Sequence, residues 1–94
     1  MLTYKAMYKF LEDGVHGEVL DFAGVITCGK NLDEARHLLA SALVDMAETN
    51  LLLGESLPTP NPQLTDKEAD LEEFIQFGKI PRIVKEPQFR DIMK

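Results

Sequence analysis

The chain has 94 residues, of which 45% are hydrophobic and 28% charged, with a formal net charge of −6. That length fits one domain with one modest core, and the composition excludes disordered and fibrous classes. An acidic balance argues against broad phosphate binding and for a basic protein partner, although acids also keep a small domain soluble.

No apolar run approaches the roughly 18 residues of a membrane span, and no basic start leads into an apolar stretch as in a secretory signal. A single cysteine, Cys28, allows neither an intramolecular disulfide nor a Cys-cluster metal site. These features predict a reducing, cytoplasmic setting. The charge is unevenly spread. Residues 1–60 carry four Lys/Arg and nine Asp/Glu, residues 65–73 hold five acids against Lys67, and residues 79–94 sum to +3.

Residues 2–11 alternate, with Tyr4, Ala6, Tyr8 and Phe10 on one face and Lys5, Met7 and Lys9 on the other. Period two predicts a half-buried strand. Glu12-Asp13-Gly14 is a turn signal, read as using glycine's freedom at positive φ, and Val15 to Phe22 pairs back as a second strand. Ala23-Gly24 permits a tight bend. Val25-Ile26-Thr27-Cys28 is short and rich in β-branched residues, a third strand closed by Gly29. In this strand Cys28 is expected in the core, as a small hydrophobe rather than a nucleophile.

Asn31 suits a helix N-cap, and Asp33 and Glu34 fall in the first turn, where the helix dipole favours negative charge. Leu32, Ala35, Leu39, Ala42, Leu43, Met46 and Ala47 then recur at three and four residues, predicting a helix to about Leu53 with Gly54 as its C′ residue. Arg36, Asp45 and Glu48 are expected to face out. Gly14, Gly24, Gly29, Asn31 and Gly54 are thus the structural punctuation of the chain.

Leu57-Pro58-Thr59-Pro60-Asn61-Pro62 predicts a stiff extended linker. Thr65-Asp66-Lys67-Glu68 has the capping-box pattern, and Leu71, Phe74 and Ile75 follow at helical spacing, which predicts a short second helix over 66–77. Pro81 restricts the following segment to an edge strand near 82–85. Residues 1–60 therefore read as an α/β domain and 61–94 as a proline-led extension that is not an independent domain. The basic run at 79–94, with Phe89, suggests either nucleic-acid contact or packing on acidic 66–73; the second is favoured.

No catalytic constellation emerges. His16 and His37 lie on different elements and lack metal-ligand spacing. Glu18 and Asp21 fall on opposite faces by parity. Gly24 and Gly29, followed by Lys30, bracket a strand rather than a phosphate loop. The chain is therefore expected to be no enzyme, and to need neither metal nor cofactor.

Taken in order, Tyr4 through Phe10, the Asp13-Gly14 turn, Val19 to Phe22, Gly24-Val25-Ile26-Thr27-Cys28-Gly29, Leu32-Asp33-Glu34-Ala35 and Leu57-Pro58-Thr59-Pro60 resemble the HicB family of bacterial antitoxins. Ala23 stands where that family often has proline. The resemblance implies an α+β fold: an antiparallel β-β-β-α(-β) sheet with one long helix on one face. Its topology is partial ribonuclease-H-like without the catalytic carboxylates, and here it would be followed by the short C-terminal helix.

The resemblance also implies binding and masking of a small basic HicA-like toxin that cleaves RNA, and assembly as a dimer or tetramer. Many relatives carry a C-terminal DNA-binding segment, but residues 61–94 show no such motif, so operator binding is not expected. Under this reading the acids near the sheet edge and helix start, Glu18, Asp21, Asp33 and Glu34, are the expected partner contacts. The alternative is an orphan oligomer of structural or regulatory role, in which open sheet edges pair with a copy.

Overall fold

The computed structural model describes residues 2–76. Its elements are β1 (Thr3–Leu11), β2 (Gly14–Val19), β3 (Ile26–Gly29), α1 (Leu32–Leu52) and β4 (Leu71–Gln76). The four strands form one sheet in the order β3-β2-β1-β4, every neighbouring pair antiparallel. The predicted α+β architecture, with three strands, one long helix and a further strand, is the one observed.

The helix-side face is set by strand parity. Tyr4, Ala6 and Tyr8 of β1 point to it, flanked by Val15 and Val19 of β2 and by Leu71 and Ile75 of β4. Ala35, Leu39, Leu43 and Ala47 of α1, four fully buried side chains, close the core over them. Phe22 and Val25 complete it, with the Phe22 ring 5.3 Å from that of Tyr4. A second flank of α1, Ala40 and Val44, packs on Ile75.

Both ends of α1 are fixed by local chemistry. Asn31 accepts a hydrogen bond from the Glu34 amide (2.9 Å), and the Glu34 carboxylate reaches back to the Lys30 amide (2.7 Å). This reciprocal arrangement satisfies amides that the first turn leaves free. At the other end Gly54 adopts φ +77°, while Gly54 and Glu55 donate to the Leu51 and Asn50 carbonyls. That pair of bonds is a Schellman motif, which a left-handed residue makes possible.

Gly14 differs from its expected role. Only Gly24 and Gly54 have positive φ among the described residues. Gly14 is needed for space: a Cβ there would stand 2.8 Å from the Gly29 carbonyl oxygen. Gly29 in turn admits the helix start, since its Cβ would lie 2.6 Å from the Ala35 amide nitrogen.

Several expectations are corrected. The stretch expected to be a helix over 66–77 is instead a turn at 66–69 followed by β4 within the described residues. The Asp66 side chain accepts from the Glu68 amide, and Glu72 accepts from Thr65 Oγ1 and the Asp66 amide, so the capping-box residues close a local turn. Residues 71–76 then gain strand hydrogen bonds along β1, and Leu71 and Ile75 reach the core by alternation. A lone three-turn helix has no comparable gain.

Cys28, expected in the core, is exposed. In β3 the residues facing the helix are Thr27 and Gly29, which leaves Ile26 and Cys28 on the opposite face. Phe10 is 53% exposed because β4 begins opposite Tyr8 and does not reach it. Met7, on the face expected to be solvated, is fully buried. The segment after the proline linker crosses that face: Lys5 Nζ bonds the Pro62 carbonyl (3.2 Å) and Lys9 Nζ the Glu68 carboxylate (2.9 Å), on either side of Met7. The proposed edge strand at 82–85, Phe89 and the basic run at 79–94 lie outside the described residues.

Candidate protein-interaction surface

Among the described residues fourteen acids face five bases, a net charge of −9. Most of these bases are engaged. Lys5 pairs with Glu72 (3.2 Å), Lys9 with Glu68 (2.9 Å) and Arg36 with Glu73 (2.8 Å). The field presented to a partner is therefore negative, and a basic partner is attracted to it.

The four acids singled out from the sequence do not form one cluster. Glu18 lies on the sheet face away from α1, half-exposed, its carboxylate 3.2 Å from His16 Nε2. Asp33 and Glu34 sit at the start of α1 on the other side, Asp33 with its side chain 91% exposed. Glu34 is tied to the Lys30 amide. Asp21 is only 8% exposed, and its two oxygens accept the amides of Lys5 and Asn61, each at 2.8 Å. Its carboxylate fastens the linker to β1, with a further bond from the Tyr4 hydroxyl to the Pro58 carbonyl (2.7 Å). Asp21 is thus an internal clasp.

His37 is exposed, as expected from its place on α1. Arg36, expected to face out, instead reaches across to β4. Its Nε and Nη2 donate to the two Glu73 oxygens at 2.9 and 2.8 Å, a bidentate pair that holds the helix to the edge strand. The missed signal is the alternation Leu71, Glu73, Ile75, which places an acid on the helix-facing side of β4.

This pair lines a groove of about 500 Å³ between α1 and β4, together with Thr3, Tyr8, Ala40, Phe74, Ile75 and Gln76. Burial, and then the neighbouring Glu73 carboxylate, push the Tyr8 hydroxyl far above its ordinary pKa, so it stays protonated. The Glu73 carboxylate likewise raises the Arg36 guanidinium. A neutral phenol and a satisfied ion pair supply neither a nucleophile nor a base. Among the described residues no three His, Cys, Asp or Glu side chains converge on a common point, and no helix is long and apolar enough to cross a membrane.

Apolar side chains exposed in three places add to the acidic surface. Ile26 of β3 and Phe74 of β4, 53% and 61% exposed, stand at opposite edges of the sheet. Leu51, Leu52 and Leu53 are exposed at the end of α1.

Comparison with solved structures shows the same fold in antitoxins. The N-terminal domain of Burkholderia pseudomallei antitoxin HicB superimposes with a TM-score of 0.65 at 20% identity, over 80% of this chain and 96% of that one. A chain of the HicA3 and HicB3 toxin–antitoxin complex superimposes with a TM-score of 0.63 at 18% identity, again over 80% and 96%. No curated protein matches. The family model described as UPF0150-like matches residues 3–58, from the first residue of β1 to the start of the proline linker. The chain belongs to the UPF0150-like family.

Proposed function

We propose that this chain is an antitoxin, which binds and neutralises a small basic HicA-type toxin that cleaves RNA. The observation that carries the reading is the fold shared with the N-terminal domain of a HicB antitoxin and with a chain of a HicA3–HicB3 complex, over 96% of each. The charge supports it: a chain at −6 complements a protein whose work is to hold RNA. The protein acts by covering its partner, without chemistry or cofactor of its own, in the cytoplasm. Glu18, Asp33 and Glu34 are its steering acids, while Asp21 holds the linker in place. Operator binding is not part of the proposal.

The test is to express the tagged chain with its native flanking genes and to identify what it retains. A retained small basic protein that halts growth when expressed alone, and not when expressed with this chain, is the expected result. If the chain retains no such protein, or fails to protect against the one it retains, the reading is wrong.

A further inference from the structure

Two aromatic rings of the sheet, Phe10 and Phe74, stand more than half exposed, and their surroundings differ. Phe74, on the face away from α1, has Lys5 Nζ 5.8 Å from its ring centroid. Phe10, on the α1 side of β1, has no cation over its ring among the described residues. Its place follows from the strand pairing. Phe10 stands opposite Val15 and Val15 opposite Gly29, so the three form a row across β1, β2 and β3 under the start of α1. β4 begins opposite Tyr8 and leaves Phe10 without a strand neighbour on that side.

Acids stand round this ring. Arg36 shares a groove with Tyr8, while Ala40 and Val44 pack on Ile75, which pairs with Tyr4. α1 therefore runs antiparallel to β1. Asp33 lies three residues before Arg36 and 3.9 Å from its guanidinium. Three helical residues rise about 4.5 Å and two strand residues about 6.6 Å, so Asp33 comes roughly level with Phe10. On the β4 side the Asp70 carboxylate accepts the Phe10 amide at 2.7 Å. Glu12 and Asp13 follow in the exposed turn. The adjoining bases are committed elsewhere, Lys9 to Glu68 on the opposite face and Arg36 to Glu73.

We propose that Phe10 and the acids round it are where a basic protein partner docks, with an arginine of that partner laid on the ring. The partner's identity rests on the antitoxin reading; the surface itself does not. An aromatic face attracts a cation, and a flat guanidinium stacks on it while its N–H groups reach the carboxylates beside it. An apolar occupant would strip water from those carboxylates without pairing them. The chain's own basic residues, 79–94, follow Gln76, which pairs with Thr3, seven residues and about 23 Å along β1 from Phe10.

Two peptides of equal charge, octa-arginine and octa-lysine, test the surface when titrated into the full-length chain. The natural chain is expected to bind octa-arginine about two- to fivefold more tightly, the span of an exposed cation–π contact. Phe10→Leu keeps apolar bulk and removes the ring, and is expected to abolish that preference, whereas Phe74→Leu keeps it. No preference in the natural chain, or an equal one in Phe10→Leu, overturns the proposal. Nuclear Overhauser contacts between the Phe10 ring and residues 77–94 in the free chain overturn it too, by giving the ring to the chain's own tail. The basic protein retained from the flanking genes provides the second measurement. Phe10→Ala is expected to weaken its binding roughly tenfold and Phe74→Ala to leave it unchanged. If Phe10→Ala binds that protein as tightly as the natural chain does, this inference fails and the antitoxin reading stands. If no such protein is retained, the antitoxin reading fails and the peptides decide the surface.

Discussion

The two faces of the sheet are covered by different means. On one, α1 lays Ala35, Leu39, Leu43 and Ala47 onto Tyr4, Ala6 and Tyr8, an apolar contact to which the Arg36–Glu73 pair adds a polar tie at the β4 edge. On the other, an irregular segment is held down by polar bonds: the Asn61 amide to Asp21, Lys5 to the Pro62 carbonyl, Lys9 to Glu68 and the Asp66 amide to Glu72. Met7 on this face is as fully buried as Leu39 on the other. Burial of a side chain thus says little about how strongly its cover is held. Packing stabilises the helix side in proportion to area, while the loop side depends on a few bonds, of which the least exposed should dominate.

Mutations that separate the two faces sharpen this contrast. The largest effect is expected on the helix side. Leu39→Ala or Leu43→Ala removes a fully buried side chain and should cost about 2–5 kcal/mol in denaturant unfolding. Gly29→Ala is expected to come next, because its Cβ meets Ala35 backbone that cannot swing aside, at about 1–3 kcal/mol. On the loop side, Asp21→Ala leaves two amides without their acceptor and should cost about 1–3 kcal/mol. Its signature differs from that of the core variants: hydrogen exchange should speed up at Asn61 before it does at Leu43. If Asn61 and Leu43 lose protection together, the loop is not a separate unit.

The smallest effects belong to the exposed pairs. The amide of Asp66, and then the Thr65 hydroxyl, hold the Glu72 carboxyl below its ordinary range. A folded pKa below the unfolded one gives stability that is present above the ordinary carboxylate value, about 4.3, and is lost as pH falls through the folded value. Glu72→Gln should therefore lower stability slightly near neutrality, with its curve and that of the natural chain converging as pH falls through the folded value. Lys9→Met, which removes the exposed pair with Glu68, is expected to leave the melting temperature unchanged within error.

The same contrast explains what was legible in the sequence. Residues 2–54 announce themselves through local chemistry: alternation in β1, a turn at Glu12-Asp13, an Asn31 cap and a glycine stop at 54. All of these act over a few residues, so they can be read without knowing the fold. Residues 65–76 carry local signals too, but those signals point to a helix. Their strand state is set by the free edge of β1 and by the reach of Arg36 to Glu73, across 37 residues of sequence.

Cys28 failed for a related reason. A short β-branched run looks buried on both sides, and only its place at the edge of the sheet shows that one side is open. Of the candidate contacts, Asp33 and Glu34 sit at the helix start as expected, whereas Glu18, expected near the sheet edge, lies on β2 between β1 and β3. The burial of Asp21 depends on a linker forty residues away and left no local trace.

The most direct test of the antitoxin reading is a growth assay. The small basic protein retained from the flanking genes is induced alone, with this chain, and with a Glu18→Lys, Asp33→Lys, Glu34→Gln variant whose fold is verified by its unfolding curve. The account predicts arrest alone, full rescue by the natural chain and weakened rescue by the variant. Arrest that the natural chain does not relieve would contradict it.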